Sequence, residues 1–87
     1  MTVTVYSITN CPKCAAARAV LKRKNVAFEE INVQESEVKK REMEQKLQAA
    51  GIKEEIMMPV VDIAGTMVVG FDKEKIFTAL KEKGLGE

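Results

Sequence analysis

A run rich in β-branched residues, Thr2 to Ile8, gives way after Thr9-Asn10 to a helix-forming run that opens on Cys11-Pro12-Lys13-Cys14. That junction constrains the fold more than any other feature of the chain. The alternation in Thr2–Ile8, with Val3 and Val5 on one face, reads as a strand. Thr9-Asn10 reads as a turn. Pro12 suits the first position of a helix, where its missing N–H would lack a partner anyway. Strong helix formers follow from Cys14 to Lys24, with Ala17, Val20 and Leu21 as the inward stripe. Ala27 to Val33 reads as a second strand, anchored by Phe28 and Ile31. Strand, crossover helix and strand make a right-handed βαβ unit, so the first two strands run parallel.

The remainder adds one helix, a hairpin and a last helix. Ser36 is placed as the N-cap of a helix through Ala50. Glu37–Arg41 and Glu42–Lys46 are i,i+4 pairs on its wet side, and Gly51 stands in the C′ position. Met57-Met58-Pro59 interrupts the pattern. Val60–Ala64 and Thr66–Val69 are short strands around Ala64-Gly65, a hairpin signal. Gly70 ends them, Asp72 caps a helix reaching Lys83, and Gly84 closes it. The order βαβαββα gives an α/β fold, a four-stranded mixed sheet with helices on both faces. With 87 residues and no repeat, linker or low-complexity tract, one domain over residues 1–87 is expected. A domain this small buries only about 60% of its unfolded surface, yet can fold alone.

Composition narrows the function. Hydrophobic residues make up 46% and charged residues 31%, which suits an ordered globular protein. Fourteen Lys and Arg oppose thirteen Asp and Glu, so nothing pulls the chain as a whole toward nucleic acid. Aromatics at 5%, with no Trp, argue against base stacking. No apolar run approaches the roughly 18 residues of a membrane span, and MTVTVYSI lacks the features of a signal peptide. A cytoplasmic protein without membrane or nucleic-acid partners is expected, and in a reducing compartment two cysteines do not make a structural staple. The absence of histidine excludes Ser-His-Asp and Cys-His nucleophile systems and His-ligated zinc.

Those two cysteines carry the chemistry. A CxxC pair beside a βαβ pattern is a redox signature. Cys11 falls at the helix N-cap, so its sulfur faces the free N–H groups of Lys13 and Cys14. The positive end of the helix favours thiolate over thiol, and Lys13 adds a nearby cation. Cys14, one turn on, should point back beneath Cys11 and be more buried. Cys11 is therefore the candidate attacking thiolate and Cys14 the resolving thiol. The competing reading is half of a zinc site, but two cysteines without histidine leave the four ligands of structural zinc incomplete.

The motifs VYSITNCPKC, MPVV at Met58–Val61 and VVGFDKEKI at Val68–Ile76 resemble the glutaredoxin family across nearly the whole chain. The last motif is closer to small glutaredoxin-like redoxins, including those that feed electrons to ribonucleotide reductase. The resemblance implies a thioredoxin-like fold, a cis bond before Pro59 facing the CxxC pair, and backbone groups of Met58 offered to an extended substrate. X–Pro bonds are otherwise cis only about 5–6% of the time. It also implies a substrate- or glutathione-binding role for Met58, Gly70, Phe71 and Asp72, with Asp72 and the helix N-terminus holding the γ-glutamyl end of glutathione; the alternative for Asp72 is a plain N-cap. Met57 and Met58 read as core filler or substrate platform rather than metal ligands.

Three positions depart from the glutathione-binding pattern. Ile8 stands where the family usually carries Lys, Met57-Met58 where it carries Thr-Val, and Lys13 where an aromatic often precedes the second cysteine. The expected activity is reduction of protein or mixed disulfides by dithiol exchange, with no metal and no tightly held cofactor. Partners would be disulfide-bearing client proteins and a reductant, either glutathione or thioredoxin reductase, acting on a monomer. A rival is a binding module in which two chains share an iron–sulfur cluster through Cys11 and glutathione; Pro12 argues against it. Another is an adaptor with an idle motif, which the intact cysteine pair argues against. Lys22-Arg23-Lys24 reads as a solvated helix end favoured by the dipole, with partner docking as the alternative.

Overall fold

The computed structural model describes residues 3–52 and 56–85. Seven elements follow in the expected order: β1 (Val3–Ser7), α1 (Pro12–Arg23), β2 (Glu29–Asn32), α2 (Glu37–Ala49), β3 (Val60–Ile63), β4 (Thr66–Val69) and α3 (Lys73–Glu82). The sheet runs β2-β1-β3-β4. β1 and β2 are parallel, as a right-handed crossover requires, and β1–β3 and β3–β4 are antiparallel. This is the thioredoxin-like arrangement. No helix among the described residues is long and apolar enough to cross a membrane.

Alternation along β1 sorts the core into two layers. Val3 and Val5 face one side with Val61, Ile63 and Val68, and α1 and α3 close over them through Ala17, Leu21, Ile76 and Leu80. Tyr6 and Val60 face the other side, where α2 presents Met43 and Leu47. Burying a Leu or Ile fully is worth about 1.5–3 kcal/mol, a large share of the 5–15 kcal/mol or so that holds a typical domain. Each helix starts on a side chain that accepts a backbone N–H: Cys11 from Cys14, Ser36 from Lys39, Asp72 from Lys75. At the hairpin, Ala64 and Gly65 have φ of 50° and 101°, as a two-residue turn matching the strand twist demands.

Two local expectations change. β2 spans Glu29–Asn32 rather than Ala27–Val33. It is an edge strand whose ladder with β1 runs only from Thr4↔Glu29 to Ser7↔Asn32. Phe28 and Ile31 still pack, one against each core layer. Thr2 lies outside the described residues.

The second change concerns Glu42 and Lys46, which do not form a simple pair on the wet side of α2. They straddle Tyr6. The Tyr6 hydroxyl donates to Glu42 Oε2 at 2.9 Å, while Lys46 Nζ donates to that hydroxyl at 2.7 Å and to Asp62 Oδ2 at 2.8 Å. Leaving a buried hydroxyl unpaired costs about 1–3 kcal/mol, so β1 can bury this phenol only because α2 and β3 supply partners. Burial raises the Tyr6 pKa above its ordinary value. Burial works against the Lys46 ammonium too, but the bonds to Asp62 and Tyr6 outweigh it and hold its pKa above the usual lysine value.

Candidate active site

Strand direction gathers the candidate residues at one end of the sheet. Tyr6 pairs with Val60, and Val60 with Val69. The chain leaving β1, the chain entering β3 and the chain leaving β4 therefore meet at the same edge. They carry Cys11, Met58-Pro59 and Gly70-Phe71-Asp72 respectively. α1 and α3 follow directly and lie on the same face, so both N-termini are aimed at this edge.

The turn into α1 depends on Asn10, whose φ of 56° is left-handed; Asn is among the few residues that adopt it readily. Cys11 then takes an extended backbone as N-cap, and Pro12 occupies the first turn. The backbone N–H of Cys14 donates to Cys11 Sγ at 3.1 Å. Both cysteines are joined at disulfide distance, with Cα atoms 5.2 Å apart, inside the roughly 4.4–6.8 Å range that suits such a bridge. Their exposure differs: Cys14 is 1% exposed, while Cys11 is half-buried at the surface. Pro12 and Lys13 are exposed beside it.

The Met58–Pro59 bond is cis, and Pro59 is buried. Gly70 staples this segment: its N–H donates to the carbonyl oxygens of both Met57 and Pro59 at 2.9 Å. Its φ of +76° is a left-handed conformation that favours glycine. Met57 is left 54% exposed next to it. Met58 packs partly against the layer beneath α2, as does Ile8. Phe71 is half-buried and packs against the layer beneath α1 and α3. Asp72 Oδ1 accepts from Lys75 N at 3.1 Å, so Asp72 serves as an N-cap.

On the far side of Cys11 lies a cleft of about 540 Å³ between α1 and β2, bordered by Ser7, Thr9, Arg18, Glu30 and Asn32. Arg18 Nη2 reaches Glu30 Oε2 at 2.7 Å across it, and this bond holds the Glu30 carboxyl below its ordinary pKa. Asn32 Nδ2 donates to Thr9 Oγ1 at 3.1 Å, tying the cysteine loop to β2. Sequence reasoning missed this cleft and the Tyr6 network. Both assemble residues from separate elements, and the legible signal for the cleft was limited to the Thr9-Asn10 turn.

The Glutaredoxin family profile matches residues 3–68. A glutaredoxin-like 8.6 kDa protein of the rubredoxin operon of Clostridium pasteurianum is 32% identical over 74 residues, 85% of this chain and 91% of that protein. Among solved structures, the glutaredoxin-like protein NrdH-redoxin from Escherichia coli is 27% identical, with a TM-score of 0.69 over 90% of this chain and 93% of its own. A glutaredoxin from Archaeoglobus fulgidus is 28% identical, with a TM-score of 0.71 over 91% and 85%.

Proposed function

The chain belongs to the glutaredoxin family, and from that premise we propose that it is a small dithiol oxidoreductase reducing protein or mixed disulfides. The asymmetry of the pair carries this reading: Cys11 sits at the surface with a backbone N–H on its sulfur, and Cys14 lies buried behind it. The N–H and the helix dipole stabilise charge on Cys11 far more than on Cys14, so Cys11 is the nucleophile. Its thiolate attacks a client disulfide, forming a mixed disulfide and releasing one client sulfur, which takes a proton. Cys14 then loses its proton and attacks Cys11 Sγ. The second client sulfur leaves and is protonated, and two electrons have passed to the client as the Cys11–Cys14 bridge forms. Pro12 fixes the backbone of the turn, Lys13 adds positive charge beside the sulfur, and Met58 and Pro59 border the place where an extended client segment would lie.

The reductant that returns those electrons is the finer part of the proposal. Ile8 packs into the layer beneath α2 and brings no charge to the groove. Met57-Met58 brings no hydroxyl, and Asp72 is engaged as a cap. This favours a protein reductant over glutathione. The Escherichia coli relative is a glutaredoxin-like protein described as having a thioredoxin-like activity profile, which supports the same division here. Reducing the oxidised protein with glutathione, and separately with thioredoxin reductase and NADPH, tests it directly. Thioredoxin reductase should be much the faster; a clear advantage for glutathione would reverse the assignment of donor. Failure of the reduced protein to cleave any disulfide would end the oxidoreductase reading.

A further inference from the structure

Charge is distributed unevenly about this fold, although the whole chain carries only +1. Residues 12–24, which make α1 and its cap, contain five Lys and Arg and no acidic residue. Taken with residues 72–83, the cap and body of α3, the two segments carry nine basic residues against three acidic. The intervening segment 25–71 carries nine acidic against five basic. α1 and α3 cover the same face of the sheet, so the sequence asymmetry becomes a cationic face in space.

The structure gathers part of that charge. Lys24 at the end of α1 and Lys73 at the start of α3 both place Nζ over the ring of Phe77, at 4.8 and 5.6 Å from its centroid. A cation over an aromatic face is attracted by the ring quadrupole, so Phe77 draws lysines from two helices together. Arg18 is engaged by Glu30 at β2. Among the described residues, Lys13, Lys22, Arg23, Lys24 and Lys73 form no ion pair. Lys13 lies beside Cys11 and Lys22–Lys24 at the other end of the helix, nine to eleven residues and so about 14–17 Å away. Lys22, one turn after Arg18, shares the helix side that faces Glu30, so the free charge on the α1–α3 side is carried by Lys13 beside the nucleophilic sulfur and by Lys24 and Lys73 at Phe77.

We propose that the redox partner approaching Cys11 is a protein that lays acidic side chains along the α1–α3 face. This rests on the dithiol reading above and names the partner's chemistry. Opposite charge on two docking surfaces acts mainly on the rate of encounter, and the effect falls steeply with salt.

The test uses three synthetic peptides of equal length, each with one disulfide. From about six residues beyond the cysteines, roughly 20 Å of extended chain, they carry a run of Glu, Gln or Lys. The second-order rate of their reduction by the reduced protein is followed at about 20 mM and about 500 mM NaCl, spanning the range from weak to nearly complete screening. The Glu peptide should react roughly tenfold faster than the Gln peptide at low salt, the Lys peptide should react more slowly than the Gln peptide, and the differences should vanish at high salt. In Lys24→Gln/Lys73→Gln the Glu-to-Gln ratio should fall toward one. Equal rates for the three peptides at low salt, or a ratio unmoved by the double substitution, would overturn the proposal. Salt-sensitive binding to RNA or to phosphatidylglycerol vesicles without discrimination among the peptides would also overturn it. If none of the peptides is reduced, the dithiol reading itself is what fails.

Discussion

The backbone N–H of Cys14 donates to the sulfur of Cys11 across 3.1 Å, and among the described residues no hydrogen bond is returned to the sulfur of Cys14. One sulfur sits at the positive end of α1 and the other is buried one turn in, so the two thiols should differ in acidity once the bridge is reduced. An ordinary cysteine has a pKa of about 8.5, and a helix N-terminus lowers it. In reduced protein treated with iodoacetamide at slightly acid pH, peptide mapping should find Cys11 carbamidomethylated well before Cys14. Preferential labelling of Cys14 would exchange their roles.

Removing the resolving thiol should stop the reaction half-way. Cys14→Ser retains the N-cap sulfur and the attack, so the mixed disulfide with the client accumulates. Non-reducing electrophoresis should show a covalent adduct, and dithiothreitol should release it. Turnover of a protein disulfide by Cys14→Ser at the wild-type rate, with glutathione absent, would contradict the dithiol mechanism.

Tyr6 and Lys46 tie β1 to α2 at some distance from the cysteines, which makes them a test of stability apart from catalysis. In Tyr6→Phe the Lys46 ammonium keeps Asp62 and Glu42 remains near solvent, but both hydrogen bonds of the hydroxyl go, so the loss should be about 1–3 kcal/mol at about 0.5–1.5 kcal/mol for each. Lys46→Met leaves the phenol with Glu42 alone and takes the charge from Asp62, and should cost more. The pKa values of Tyr6 and Lys46 are both raised in the folded state. Their contribution is thus fully present below the ordinary values near 10 and is lost as pH rises through the folded values. Urea midpoints should hold steady from neutral pH to about 9 and decline in strong alkali. The decline should be shallower in Lys46→Met.

The hairpin offers a stabilising change. Ala64 holds φ at 50°, a conformation that costs an ordinary L-residue roughly 1–2 kcal/mol. Ala64→Asn places at the first turn position the residue that favours it before glycine. A gain of about 0.5–1 kcal/mol in chemical denaturation is expected, with disulfide reduction unaffected. A loss of stability would mean that the turn is not held as described.

Local rules made most of this architecture legible. Strand alternation, the three N-caps and the glycines that end helices each announce themselves within a few residues, and every element appeared where those signals stood. The cysteine pair was legible for the same reason, because its spacing and its place at a strand–helix junction are local facts. The cis bond before Pro59 came through family resemblance rather than from the residues alone. What stayed hidden was long-range. Nothing near Tyr6 says that Glu42 and Lys46 will close over its hydroxyl, and β2 was overextended because a strand's ends depend on its partner. Phe71, assigned to the groove by its place in a motif, is half-buried and packs against the layer beneath α1 and α3, a contact between separate elements that the motif did not announce.

Substitution at Ile8 tests the expectation that this site takes glutathione only weakly. Where the family's lysine would meet a carboxylate, this chain has an aliphatic side chain that packs partly against Tyr6, Val60 and their neighbours beneath α2. Met57-Met58 brings no hydroxyl where the family carries Thr-Val, and Gly70 keeps the Met57 and Pro59 carbonyl oxygens engaged. A hydrogen bond to a charged group is worth about 1.5–3 kcal/mol, so its loss weakens binding roughly ten- to a hundredfold. The Met58 backbone and the N-terminal end of α3 would still be available to it, so weakening rather than abolition is expected. Ile8→Lys should therefore raise activity toward a glutathione mixed disulfide by about tenfold, mainly by lowering KM. Lysine can bury its stem and carry its ammonium to the surface, so the cost in stability should be modest, and a thermal melt run alongside separates the two effects. The opposing idea is that Lys13 already supplies the missing charge. In that case the wild-type protein would match an ordinary glutaredoxin in the glutathione-linked assay and Ile8→Lys would leave it unmoved, a result that would show the groove to be built for glutathione after all.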